Sequence, residues 1–234
     1  MRNTRLFTGL LILIFFFILY NFQLNNFLII ILLFGIIYDL NYSKIFNLKN
    51  SILFLGVSLT VFFFLSEYLS FMILNIFIFI SLFLFTLFKS KLTNNYFVLL
   101  LFFYLFFSYN LISNNPDIFY FIILVSFIND TIAYISGSYI KGPLIIPSIS
   151  PKKTWSGTSI SFLFSFFIFL YFDYSIFSSL LISISYFLSD IYFSYIKRIN
   201  KLKDFSNLLP GHGGILDRID SFVLPIFFAI LLLA

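Results

Sequence analysis

The sequence predicts an all-α, polytopic integral membrane protein with about nine transmembrane helices and a cytoplasmic N-terminus. Three observations carry this. Of 234 residues, 61% are hydrophobic and only 10% are charged, against roughly 25% charged in soluble domains; the mean hydropathy is +1.07. Apolar runs near the ~20-residue length that crosses a bilayer recur along the whole chain. Lys and Arg occupy only alternate segments between those runs. A membrane barrel would alternate polar and apolar residues, which Leu11 to Tyr20 does not.

The candidate spans are 6–22, 26–40, 51–66, 69–88, 96–112, 118–136, 159–172, 176–196 and 221–234. Arg2 and Arg5 precede the first. Lys44 and Lys49 follow the second, Lys89 and Lys91 the fourth, and Lys141, Lys152 and Lys153 the sixth. Lys197, Arg198, Lys201, Lys203 and Arg218 follow the eighth. The turns near Asn21–Asn25, Glu67, Asn114–Asp117 and Asp173 carry no Lys or Arg. With nine spans every cation falls on one side, and the positive-inside rule makes that side the cytoplasm. A re-entrant hairpin in place of the first two spans leaves the later parity intact. Arg2 and Arg5 ahead of an apolar run could suggest a signal peptide, but no small-residue cleavage site follows, so the first span reads as uncleaved.

These spans divide the chain into N-terminal transmembrane helices over 1–117 and a C-terminal transmembrane region over 118–234, whose longest polar stretches, 137–158 and 197–220, are both cytoplasmic loops by the charge argument and the place where any chemistry should lie. No internal repeat is visible. Cysteine is absent and histidine occurs once. Disulfides, thiolate metal sites and multi-histidine metal sites are therefore excluded.

Ionisable residues inside spans are costly and need a reason. Asp130 and Asp190 stand out, each toward the cytoplasmic end of its span. Asp190, Ser194 and Lys197 share one helical face, so one reading of Asp190 is a simple pair with Lys197. Asp130 follows Asn129 and shares a face with Tyr134 and Gly137; its plain reading is a polar contact between helices. The 197–220 segment holds Lys197, Arg198, Lys203, Asp204, then Pro210-Gly211-His212-Gly213-Gly214 and Asp217-Arg218-Ile219-Asp220. Glycines let backbone approach a phosphate, cations neutralise it, and carboxylates hold hard divalent cations. The same ingredients would also suit a cytoplasmic turn with no chemistry. A Walker loop is absent. His212 is either a general base or a hydrogen-bonding group, and Trp155 either an interfacial anchor or part of a substrate loop.

The run Ser194-x-x-Lys197-Arg198 to Lys203-Asp204, followed by Leu209-Pro210-Gly211-His212-Gly213-Gly214-Ile215-Leu216-Asp217-Arg218-Ile219-Asp220, resembles the signature of phosphatidate cytidylyltransferases, the CDP-diacylglycerol synthases. Asn129-Asp130-x-x-Ala133-Tyr134 and Ser150-Pro151-Lys152-Lys153-Thr154-Trp155 resemble that family's other polar segment. Specific motifs cover roughly 125–221. Three positions depart from the family pattern: Ser156 stands where Glu is usual, Ser189 where Gly is, and Phe193 where a second Glu is.

The resemblance implies transfer of CMP from CTP to phosphatidate with Mg²⁺, giving CDP-diacylglycerol and pyrophosphate. It implies catalytic roles for Asp190, Lys197, Arg198, Asp217 and Asp220, and metal ligation by Asp190 and Asp217 with Asp204 as a further candidate. Asp130, Ser150, Lys152, Lys153, Ser194, Lys203, Gly211, His212, Gly213, Gly214 and Arg218 are the implied substrate-binding residues. The expected partners are CTP, phosphatidate and the bilayer of the inner (plasma) membrane, with no nucleic acid and with room for a homodimer. Two competing functions are a CTP-dependent kinase of a lipid alcohol, from which the full Pro-Gly-His-Gly-Gly run discriminates, and a transporter using Asp130 and Asp190 as ion-coupling groups. A transporter should show inverted repeats and broken spans, and neither is visible.

Overall fold

The computed structural model of the protein describes residues 14–45, 93–209 and 213–233. The expected spans 51–66 and 69–88 lie outside these residues, as do Arg2, Arg5, Lys49, Lys89, Lys91, Pro210, Gly211 and His212. The chain groups into two compact units, one of Met1–Ser113 with Asp204–Asp217 and one of Asn114–Lys203 with Arg218–Ala234.

In the first unit, residues 14–21 are helical. Helix α1 follows over Asn25–Tyr42 and helix α2 over Thr93–Asn114. Leu28, Leu32, Ile36 and Leu40 recur every four residues on α1 and are buried, which is the apolar stripe a packed helix requires. The segment 204–217 belongs to the same unit. Gly35 leaves room for it: a Cβ there would collide with the Ile215 side chain. Phe205 stacks on Phe97 of α2, with ring centroids 5.9 Å apart.

The second unit begins with α3, Pro116–Ile140, followed by an antiparallel hairpin of β1 (Leu144–Ile146) and β2 (Ser150–Thr154). Helices α4 (Trp155–Tyr171) and α5 (Ile176–Ile199) come next. The single turn α6 (Leu216–Ile219) crosses the junction of the two units, and α7 covers Val223–Leu233. Helix α3 packs on α4, α4 on α5, and α7 on both α5 and α3. The α3–α4 crossing is close because it runs over small residues: a Cβ on Gly157 would meet the Ala133 carbonyl, and one on Gly137 the Thr154 hydroxyl.

The helical expectation holds for the described residues, with the hairpin as an addition to it. Among the described residues, three helices are long and apolar enough to cross a membrane: Thr93–Asn114, Pro116–Ile140 and Ile176–Ile199. At 25 residues, α3 is about 37 Å long, more than the ~30 Å hydrocarbon thickness. The expected boundaries shift where caps decide them. Pro116 sits in the first turn of α3, where its missing N–H costs nothing. Thr154 caps α4, its side chain accepting from the Gly157 amide at 3.2 Å. The expected loop 137–158 therefore contracts to residues 141–154 and is mostly hairpin. The C-terminal loop expected from 197 starts later, because α5 continues to Ile199.

Candidate active site

A cavity of about 300 Å³ opens in the second unit, among the C-terminal half of α3, β2, the start of α4 and the middle of α5. Each polar wall follows from an element already described. Asn129 and Asp130 come from α3, Ser150, Lys152 and Lys153 from β2, and Ser183, Tyr186 and Asp190 from α5. The Lys153 ammonium pairs with the Asp190 carboxylate. Among the described residues, the partner of Asp190 is thus Lys153 and not the Lys197 of its own helix face. Lys197 instead faces Asp220, Nζ to Oδ2 at 3.5 Å, although Asp190 and Lys197 lie seven residues apart on one helix.

The turn after α6 is tied into the same unit. The Ser189 hydroxyl donates to the Asp220 carbonyl, so the serine that replaces the usual glycine holds this turn to α5. Ser221 and Ser126 share a hydrogen bond at 2.7 Å, and Ser221 also reaches Asp130 at 3.4 Å. Burial pushes the Asp220 carboxyl well above the usual carboxylate range. The Asp190 charge adds to this, and together they outweigh the opposing Lys197 ammonium.

Two polar atoms on the cavity wall, Asn129 Oδ1 and Ser183 Oγ, are buried without a hydrogen-bond partner. Buried polar atoms are normally satisfied, so these two fit a polar ligand. Among the described residues, no three carboxylate or imidazole groups form a cage for a metal ion. Mg²⁺ does not need one: it uses one or two carboxylates and completes its shell with substrate phosphates and water. Asp190 and Asp130 on one wall, with Lys152 and Lys153 beside them, fit that pattern.

Other expected residues are placed elsewhere. Arg198 is exposed, and its guanidinium binds two carbonyls, Ile149 at 3.0 Å and Leu202 at 2.9 Å, joining the hairpin turn to the end of α5. Ser194 is buried on α5, while Lys203 and Asp204 are exposed. Trp155 opens α4 and is 55% exposed. Ser156 donates to the Lys141 carbonyl, while Phe193 is fully buried.

In the first unit the signature segment folds on its own carboxylate. Asp217 is buried, and its Oδ2 accepts from the Phe205 amide at 2.8 Å and the Gly214 amide at 2.9 Å. Gly213 has φ +78°, and a Cβ there would meet the Asp217 carboxylate. The Leu209 amide bonds the Gly213 carbonyl at 2.8 Å, bracketing 210–212. Sequence reasoning passed over Asp39, which is fully buried in α1 and contacts this segment. Its signal was a lone carboxylate near the end of an apolar run.

The chain matches the cytidylyltransferase family over residues 3–234. It is 41% identical over 141 residues to a phosphatidate cytidylyltransferase of Rickettsia bellii, which covers 53% of this chain and 60% of that protein. It is 41% identical over 129 residues to the Rickettsia prowazekii phosphatidate cytidylyltransferase, covering 47% and 56%. A chloroplastic phosphatidate cytidylyltransferase of Arabidopsis thaliana is 38% identical over 104 residues, covering 40% and 26%. The chain thus spans little more than half the length of the two bacterial relatives. With a match that runs from residue 3 to the end of the sequence, the chain belongs to the cytidylyltransferase family.

Proposed function

We propose that the protein transfers CMP from CTP to phosphatidate, giving CDP-diacylglycerol and pyrophosphate. The observation that carries this reading is the cavity wall on which Asp130, Asp190, Lys152 and Lys153 meet among largely apolar helices. Carboxylates beside lysines suit a metal–phosphate substrate, and the apolar surroundings suit a lipid.

In the proposed reaction, a phosphate oxygen of phosphatidate forms a bond to the α-phosphorus of CTP. The bond from that phosphorus to the bridging oxygen breaks, and pyrophosphate leaves with the electron pair. The attacking phosphate is already ionised and needs no general base. Catalysis is then positioning plus stabilisation of charge on the phosphoryl oxygens. Asp190, with Asp130 beside it, would hold Mg²⁺, which when bound neutralises that charge. Lys153 would exchange its Asp190 partner for a substrate phosphate, and Lys152 would contact the same group. Lys197 keeps Asp220 in place. Asn129 and Ser183 give the substrate's polar groups hydrogen-bonding partners. The one-sided distribution of Lys and Arg supports a cytoplasmic site in the inner membrane, where CTP is available.

Purified protein in detergent, given labelled CTP, phosphatidate and Mg²⁺, should form a cytidine-labelled lipid. If none forms at any Mg²⁺ concentration while a known synthase works in parallel, the reading fails.

A further inference from the structure

Asp39 lies 165 residues or more from the segment it touches, in a helix otherwise occupied by apolar packing. Its two oxygens are both engaged. Oδ1 accepts from the Ser206 hydroxyl at 2.6 Å and Oδ2 from the Leu216 amide at 2.7 Å. Ser206 in turn accepts from the Leu208 amide at 3.2 Å. One carboxylate therefore grips both arms of the segment, before and after residues 210–212. The approach is so close that a Cβ on Gly214 would collide with the Asp39 carboxylate. The next residue, Ile215, fits against Gly35 one turn earlier on the same helix. Two further bonds, from Phe205 and Gly214 to Asp217, close the segment on itself.

These contacts give the glycines of the signature a second explanation. Gly214 is small where Asp39 presses on the backbone, and its amide is taken up by Asp217. A helix position that only needed to fill space would not carry a buried charge, because an unpaired one is strongly disfavoured. The bonds that satisfy Asp39 come entirely from the 204–217 segment in the observed pairs, so the charge and the loop stabilise one another.

We propose that Asp39 is a positioning residue for the reaction: it fixes the backbone of the 204–217 segment, and so the place from which Asp217 acts. This rests on the cytidylyl-transfer reading for its effect on rate. Asp39 itself touches no reacting atom. Its effect should therefore appear in kcat, with the KM values for CTP and phosphatidate little changed.

The test uses the full chain in detergent, with two measurements on each variant. One is turnover per folded molecule; the other is hydrogen–deuterium exchange of peptides covering 204–217. Asp39→Asn puts an amide NH₂ against a donor and should lower kcat by about 10- to 100-fold, the usual cost of losing a partner that orients a site. Exchange over 204–217 should rise. Ser206→Ala, the milder variant that keeps the Leu216 bond, should lower kcat less, and combined with Asp39→Asn should be less than additive. Gly214→Ala should be as harmful as Asp39→Asn, yet add nothing in an Asp39→Ala background, where the new methyl group has room. A residue important only for folding would lower the yield and the melting temperature while leaving kcat per folded molecule intact. That result, or unchanged exchange over 204–217 in Asp39→Asn, overturns the proposal. Should the wild-type protein form no cytidine-labelled lipid, the reaction assignment fails by itself, and the exchange measurement still decides whether Asp39 holds the segment.

Discussion

At the scale of single residues, the ion pair between Lys153 and Asp190 sets two accounts of Asp190 against each other. Each side chain is about a quarter exposed, at 23% and 25%, and a pair in such a setting is worth about 0–1 kcal/mol. If pairing were its whole purpose, Asp190→Asn and Lys153→Gln would cost the same small amount of stability and leave turnover near normal. If Asp190 holds the metal-bound substrate, Asp190→Asn should lower turnover per folded molecule by about 10³-fold, as loss of a group that acts only on the transition state does. Near-normal turnover with an unchanged Mg²⁺ midpoint would remove Asp190 from the site. The sequence showed that Asp190 needed a partner, because a charge in a span is costly. It could not show which lysine, because Lys197 shares its helical face whereas Lys153 reaches it through a hairpin. Asp39 was hidden for a similar reason: one Asp in α1 has no local partner, and its two bonds come from residues 206 and 216.

At the scale of elements, Thr154 is where local chemistry positions the cavity. It ends β2, caps α4 and follows Lys153 directly. Its hydroxyl accepts from the Gly157 amide and stands 3.1 Å from the Ser156 hydroxyl. Thr154→Val keeps the shape and removes the cap, and should cost about 1 kcal/mol of stability. Thr154→Ser should cost much less. Thermal unfolding of the two variants in detergent checks this; equal melting temperatures would show that the cap bond does not contribute. The capping pattern Thr-x-x-Gly was present in the sequence, but hydropathy alone placed the start of this helix at 159, because the first turn, Trp155-Ser156-Gly157-Thr158, is too polar to join an apolar run. The hairpin was hidden altogether: Pro147 directly follows β1 and Pro151 lies inside β2, and prolines ordinarily argue against strands. What makes the pairing possible is that β1 and β2 form only a two-stranded ribbon with open edges.

At the scale of the whole molecule, the distribution of charge was the most legible feature of all, and part of it now has a structural counterpart. Arg198 at the end of α5 binds the Ile149 carbonyl in the hairpin that follows α3. The basic segments 141–153 and 197–203 therefore share one end of the second unit, as their alternation with the turn at Asp173, which has no Lys or Arg, requires. Which side of the membrane that end faces is read from the positive-inside rule, and it is open to a direct test. The chain contains no cysteine, so a single introduced thiol reports its own location without background. Lys203→Cys, in the basic segment, should resist a membrane-impermeant thiol reagent in intact cells and react only after the membrane is opened. Asn114→Cys, in a turn without Lys or Arg, should react in intact cells. A reporter active only in the cytoplasm, fused after Ala234, should be silent if the nine spans expected from the sequence place the two termini on opposite sides. Labelling of Lys203→Cys in intact cells would invert the orientation. An active reporter together with the expected thiol pattern would instead change the number of crossings after residue 203, leaving the side of the cavity as assigned.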